Sequence, residues 1–444
     1  MTATTSGSRP AAAPRLTAGR RATAPPASGT VVLPAVPRGA PGAARAAVAR
    51  LIMNRVAARL PIQLVTPGGL RSGSGGRAAP AILIRDENVF YRRLGSGTAG
   101  LAEAYIAGAW DSDDLPGLFA VLAEHITELV PAPLQALRRW YIPLQPPAED
   151  ATIDGARRNI ERHYDLSDEL FALFLDPTMT YSSALFAPGD RPAGDGPAGD
   201  LVAGDGLTRA QHRKFDALLD RTGVGPQTSV LEIGSGWGEL AIRAARRGAR
   251  VTTLTISPSQ WQTARRRAAA AGVADRVDVQ LCDYRQATGR YDAVLSVEMI
   301  EAVGERYWPA YFAAIDQRLA PGGRAGLQAI TLPHDRMLAS RGGHTWIHQY
   351  IFPGGQIPSL AAISASLRRH TGLRVTADYP MGEHYARTLQ EWRTRFAGAA
   401  AEVGELGFGE SFQRMWNLYL AYCEGGFAAG YLDVHQLVLE RRGW

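Results

Sequence analysis

Cysteine is nearly absent from the 444-residue sequence, with only Cys282 and Cys423 present. Two cysteines cannot build a disulfide framework, and a reducing cytosol is the compartment that suits such a chain. No apolar run reaches the ~18 residues that a membrane-crossing helix needs. No acidic residue precedes Asp86, and residues 1–85 contain 12 arginines and no lysine. With a net charge of +6 overall, the remaining residues carry −6, the difference between +6 and +12. The N-terminus also lacks the apolar core of a secretory signal, because Arg20-Arg21 is followed by Ala-Thr-Ala-Pro-Pro.

A basic arm on a mildly acidic body suits an anionic surface, either a phospholipid leaflet or nucleic acid. A solvated, disordered tail and an organelle transit peptide are the alternatives for this segment. Residues 1–44, rich in Ala, Pro, Arg, Gly and Thr, read as a disordered basic arm. A small α+β N-terminal domain is expected over 45–150. A helix should open it, and Arg45, Arg50, Arg55 and Arg59 do not share one clean face of that helix. Residues 151–444 form the catalytic domain, interrupted at 188–206 by a flexible Gly-, Asp-, Ala- and Pro-rich insertion.

From residue 226 onward strand and helix patterns alternate. Strands are expected at 229–233, 250–256, 277–283, 291–299 and 326–332, with helices at 238–247 and 258–271 between them. Such alternation builds an α/β, doubly wound, mostly parallel Rossmann-like sheet. Helices near 386–404 and 410–441 should close the chain. The first strand runs into Glu232-Ile233-Gly234-Ser235-Gly236-Trp237-Gly238. Glycines in such a turn permit positive φ and close approach of a ligand to the backbone. No third glycine completes the dinucleotide pattern. Where dinucleotide sites place a ribose-binding acid, this chain has Thr255 and Gln260, and its third strand ends at Asp283-Tyr284. Together these positions mark a nucleoside-containing cofactor at the carboxyl ends of the strands. No metal is expected.

The pattern E-x-G-x-G-x-G after a first strand resembles class I S-adenosylmethionine methyltransferases. NIERHYDLSDELFALFLDPTMTYSSALF at 159–186 and LEIGSGWGE at 231–239 carry the likeness further. So do VEMIEAVG at 297–304, YIFPGG at 350–355, HYARTLQEW at 384–392 and YLAYCEGGF at 419–427. In this order they resemble the cyclopropane-fatty-acid synthase family, which includes the mycolic-acid cyclopropane synthases. SVEMIEAVG and LQAIT also look like an actinobacterial branch that makes 10-methylene fatty acids, precursors of 10-methyl-branched acids.

The resemblance implies transfer of a methyl(ene) group from S-adenosylmethionine to the double bond of an unsaturated fatty-acyl phospholipid. The product is a cyclopropane or a 10-methylene chain. It implies a cytoplasmic enzyme, peripheral to the inner face of the membrane, with a downstream reductase and a second copy of the chain as further partners. Tyr181 and Ser182 match cofactor-contacting positions, alongside Glu232, Gly234, Gly236, Gly238, Thr255, Gln260, Asp283 and Tyr284. Glu301 matches an active-centre glutamate and Tyr385 a tyrosine near the reacting carbon. In the family a bicarbonate held by a cysteine, that glutamate, a histidine and that tyrosine removes the proton. Ser183 stands in the cysteine's place and Gln328 in the histidine's. Both can hydrogen-bond, but neither titrates near neutrality. Glu301 with Tyr385, through a bound anion, is the expected base system. Cys423 matches a family cysteine, with a buried helical thiol as the alternative. His163 is either a residue that closes over the cofactor or a capping histidine.

The chemistry demands an electrophilic methyl donor, a water-free site and aromatic faces against a carbocation. Two readings compete. One is methylation of a small molecule or nucleic acid, against which the acidic body offers no basic stripe. The other is a catalytically inactive lipid- or cofactor-binding homologue, motivated by Ser183 and Gln328.

Overall fold

The computed structural model describes residues 33–36, 38–126, 150, 152, 155, 156, 166–190 and 206–442. Most of the expected arm, most of the 188–206 insertion and His163 lie outside the described residues.

Seven strands form the main sheet: β5 (Ser229–Ile233), β6 (Arg250–Thr255), β7 (Val277–Leu281), β8 (Tyr291–Val297), β9 (Leu319–Thr331), β10 (Leu373–Pro380) and β11 (Asp433–Arg441). Their order is β7-β6-β5-β8-β9-β11-β10. The first five run parallel, and β11 inserts antiparallel between β9 and β10. The two-residue period of a strand sends Val230, Ala293 and Leu295 to one face of this sheet and Leu231, Ile233 and Val294 to the other. The helices Gly206–Arg221 and Glu239–Arg246 cover the first face, and Trp308–Arg318 and Leu360–His370 the second. With both faces covered, the strands read as apolar runs. From β5 the order proceeds one way through β6 and the other way through β8. The crevice beyond their carboxyl ends is the position where open α/β sheets bind ligands.

A second sheet of β1 (Gln63–Val65), β2 (Arg71–Ser72), β3 (Ala81–Ile84) and β4 (Trp110–Asp111) has the order β2-β1-β3-β4. It mixes one parallel and two antiparallel pairings. Its core is not separate. Leu60, Ile62, Trp110 and Leu118 belong to one cluster with Phe171, Phe174, Tyr385, Trp392 and Trp416. The helix Glu410–Ala428 joins the two parts by packing on helices Thr98–Ile106 and Leu115–Glu124. No described helix is long and apolar enough to cross a membrane.

The observed elements correct the sequence reading in three places. The first helix spans Gly39–Arg59, so regular structure begins inside the stretch read as arm. The segment 410–441 is a helix only to Ala428. Gly430 takes a left-handed φ of +63°, and Asp433–Arg441 returns as β11. That strand is buried on both faces, so it lacks the alternation that would have distinguished it from a helix. β10 was not anticipated at all. Its exposed outer strand reads RVTADYP, with weak alternation.

Gly425 sets the distance between the helices Glu410–Ala428 and Leu115–Glu124. A Cβ there would stand 2.5 Å from the Pro116 carbonyl oxygen and 2.8 Å from the Ala120 nitrogen. Backbone cannot yield as a side chain can. Gly425→Ala is therefore expected to cost ~1–3 kcal/mol by overpacking, read as a lowered urea midpoint. An unchanged midpoint would show that the helices can separate freely.

Candidate active site

The turn after β5 is held left-handed at three glycines: Gly234 (φ +95°), Gly236 (+49°) and Gly238 (+92°). Their surroundings differ. A Cβ on Gly234 would collide with Met299, and one on Gly238 would stand 3.0 Å from Ala264. One on Gly236 would meet nothing within 4 Å. Two glycines thus admit protein neighbours, while the third faces open space at the crevice, as close approach of a ligand to backbone requires.

Below this turn, Thr253 donates to the Glu232 carboxyl at 2.5 Å and lies 2.8 Å from Ser235 Oγ. Burial raises Glu232 to about 8, with Thr253 opposing. At the end of β6, Thr255 donates to Gln260 at 2.9 Å and accepts from the Ser257 amide. Ser257 caps the helix Pro258–Ala270. Asp283 accepts from the amide, Nε and Nη2 of Arg285. Tyr284 stands edge-on to Tyr311. Glu232, Thr255, Gln260 and Asp283 therefore lie on or just beyond neighbouring strands of the sheet and already have protein partners there.

The loop before helix Gly206–Arg221 brings Tyr181, Ser182 and Ser183 to the other side. Tyr181 stacks on Trp392 at 5.1 Å, and its hydroxyl is 2.8 Å from that of Tyr419. Phe171 and Phe174 meet Tyr181 edge-on. Tyr385 packs on Phe427 at 4.5 Å, and Phe352 meets Tyr419 edge-on. These rings form one buried aromatic cluster around Tyr181 and Tyr385. Cys423 belongs to the same cluster, and burial pushes its thiol up to about 12, so it carries no thiolate at neutral pH.

Ser183, Gln328 and Tyr385 do converge, but not on Glu301. All three reach Glu298, three residues earlier. The Ser183 amide and Gln328 Nε2 donate to its Oε1 at 2.9 and 2.8 Å, and the Tyr385 hydroxyl donates to Oε2 at 2.9 Å. The Ser183 hydroxyl turns away to the Ala184 carbonyl. Glu301 sits on the short helix Ile300–Val303, where its Oε1 accepts from the Ile330 amide and its Oε2 has no hydrogen-bond partner among the described residues. The direct partner of Tyr385 is thus Glu298 rather than Glu301. The turn that follows β8 aims Glu298, not Glu301, at the tyrosine.

Sequence reasoning also missed Lys214. It is the only lysine in the chain and is completely buried. Its Nζ donates to Ser182 Oγ at 2.6 Å. Burial pulls the amine down to about 7, while Glu298 and Asp176 oppose that shift. Its solitude among so many arginines was the available signal. A compact, titratable amine is not interchangeable with a guanidinium.

Burial raises Glu301 from 4.5 to about 8, and the neighbouring Glu298 charge adds to the shift. The folded state therefore keeps this proton between pH 4.5 and 8, where the unfolded chain has released it. Stability contributed by that difference is lost as pH rises through the window. Glu301→Gln should flatten the decline, so the urea midpoint of the variant should change less than the parent's between about pH 5 and pH 8. Equal slopes would mean that Glu301 is ionised in the folded protein.

Residues 152–437 match the family model described as mycolic acid cyclopropane synthetase. Tuberculostearic acid methyltransferase UfaA1 of Mycobacterium tuberculosis is 50% identical over 409 residues, covering 92% of this chain and 94% of that protein. Cyclopropane-fatty-acyl-phospholipid synthase of Escherichia coli is 30% identical over 396 residues, covering 86% and 93%. The crystal structure of mycolic acid cyclopropane synthase CmaA1 complexed with SAH and CTAB superposes with a TM-score of 0.57 at 29% identity, covering 67% of this chain and 99% of that one. A seven-stranded class I methyltransferase sheet, a glycine turn open at its switch point and a match through nearly the whole catalytic segment agree: the chain is a member of the mycolic acid cyclopropane synthetase family of S-adenosylmethionine-dependent methyltransferases.

Proposed function

We propose that this enzyme methylates the double bond of an unsaturated fatty-acyl chain of a phospholipid and then removes a proton to leave a 10-methylene branch. The observation that carries this reading is a carboxylate set among aromatic rings beside the glycine turn. Such a site suits an apolar substrate that must lose a proton. S-adenosylmethionine supplies an electrophilic methyl group, which a weakly nucleophilic alkene needs. The open side of Gly236 fits its close approach. Tyr181, Tyr385 and Trp392 exclude water and offer ring faces to positive charge, which is worth ~2 kcal/mol or more when desolvated. Loss of a proton from the transferred methyl of the first cation would close a ring, while a hydride shift from the methyl-bearing carbon to its cationic neighbour, followed by loss of a methyl proton, leaves the methylene. The 50% identity to tuberculostearic acid methyltransferase supports the branched outcome. A reductase acting on carbon–carbon double bonds would then saturate the branch.

The first helix supplies a route to the lipid. Arg45, Val48, Leu51, Ile52, Arg55 and Arg59 recur at helical spacing along its exposed side, and Val48, Leu51 and Ile52 are each more than half exposed. Arg50 lies off this face and pairs with Glu87. An apolar strip bordered by arginines fits the interface of an anionic leaflet, on the inner face of the membrane.

Two measurements test the reading. Labelled S-adenosylmethionine incubated with oleoyl phospholipid should place label in lipid, and mass spectrometry should find a chain heavier by one CH2 that bears an exocyclic double bond. Label entering RNA instead, or no label anywhere, refutes the assignment. Separately, the double variant Val48→Asp, Ile52→Asp should bind anionic vesicles about tenfold more weakly at low salt, from lost apolar insertion and added repulsion. Unchanged binding removes this helix from the membrane contact.

A further inference from the structure

Glu298 occupies a backbone conformation that a glutamate should avoid. Its φ is +50°, in the left-handed region that strains a non-glycine residue. It is also an acid drawn largely out of water. Both costs persist only where surrounding structure enforces them, and such outliers gather at functional sites.

Three donors from three segments meet this carboxylate: the Ser183 amide from the loop, Gln328 from β9 and Tyr385 from helix Gly382–Gly398. The direction of the Gln328 amide is not arbitrary. Arg221 can only donate, so Gln436 must turn its oxygen toward it. Gln436 Nε2 then donates to Gln328 Oε1 at 3.0 Å, which leaves Gln328 Nε2 to donate to Glu298. The chain of amides is polarised from end to end toward one acceptor. Lys214 adds positive charge from behind Ser182.

An ionised carboxylate offers about four acceptor positions on its two oxygens. Oε1 uses two, on Ser183 and Gln328, and Oε2 uses one, on Tyr385. One position remains, on Oε2. Ser183 and Gln328 are sealed from solvent, while Glu298, Met299 and Tyr181 are only partly buried.

On the reading above of a lipid methyltransferase, we propose that the Glu298 carboxylate is the resident anion of this site and the base that takes the substrate's proton. The donor set of a backbone amide, a carboxamide and a phenol suits a small planar oxyanion, and here the chain itself fills it. A separate bicarbonate is then unnecessary. In the step assigned to Glu298, the methyl–sulfur bond has broken and a carbon–carbon bond has formed, leaving a cation on the acyl chain. The hydrogen on the methyl-bearing chain carbon shifts with its electron pair to the neighbouring cationic carbon. A C–H bond of the transferred methyl then breaks, its electron pair forms the exocyclic double bond, and the proton passes to Glu298 Oε2. Charge and atoms balance without any further reactant. Burial raises this carboxylate above its ordinary value, which strengthens it as a base, and Lys214, Ser183, Gln328 and Tyr385 oppose that rise. Tethering also removes the cost of capturing a free ion for each turnover.

The test compares the parent enzyme, Glu298→Gln and Glu298→Gly, assayed on oleoyl phospholipid in buffer stripped of carbon dioxide, with and without added bicarbonate or formate. Cofactor affinity is measured by calorimetry as the control for folding. The parent should turn over equally with and without bicarbonate. Glu298→Gln should lose ~10²–10⁴-fold in turnover with little change in cofactor affinity. Glu298→Gly relieves the backbone and empties the anion site, so bicarbonate or formate should restore part of its activity. A parent that stops when bicarbonate is stripped overturns the proposal, as does a Glu298→Gln that runs at the parent rate. A Glu298→Gly that binds cofactor but answers to neither anion also overturns it. A parent that never labels lipid defeats the proposed function instead, so the two failures remain distinct.

Discussion

A carboxylate withdrawn from bulk water must be met by donors, or it takes up a proton and ceases to be an anion. Glu298 imposes that requirement on this fold. Its donors come from the loop carrying Ser183, from β9 and from the helix Gly382–Gly398, and the turn after β8 supplies the acid itself. No single element could satisfy it. The Rossmann-like sheet and the helical layer beyond it have to be docked in register before the acid is accommodated. This turns an electrostatic demand into a constraint on tertiary structure. It also explains why polar residues such as Gln328, Gln436 and Lys214 lie in an otherwise apolar interior.

The helical layer is itself not independent. The small β2-β1-β3-β4 sheet and the helices around it share one core with the aromatic wall of the crevice. Arg414 on helix Glu410–Ala428 donates to the carbonyls of Tyr105 and Trp110, and Asn417 donates to the Tyr105 hydroxyl. Tyr419 and Cys423 on that same helix belong to the aromatic cluster at the active centre. The N-terminal part therefore supports the lining of the site from outside, through a helix whose two sides serve different purposes.

Much of this was legible in the sequence. The glycine turn and the five parallel strands could be placed from spacing and motif, and the family resemblance implied the meeting of Ser183, Gln328 and Tyr385. What escaped is equally physical. Glu298 and Glu301 follow the same strand three residues apart. Which of them reaches Tyr385 depends on a left-handed backbone at Glu298 that no local pattern announces, since glycine is the residue expected there. β11 escaped because a strand buried on both faces loses its two-residue period. Lys214 escaped because a buried amine acquires meaning only from its partners. Its rarity in the chain was visible, but Ser182 and Glu298 were needed to explain it.

That rarity has a practical side. A protease specific for lysine has one peptide bond to cut in this molecule, after residue 214, in the middle of the helix Gly206–Arg221. The side chain it must grip is wholly enclosed beside the crevice. Cleavage can therefore proceed only through molecules whose interior has opened at that helix, and the yield of two fragments counts them. The chain carries this direct gauge of how often the heart of the fold comes apart because Lys214 is its single lysine.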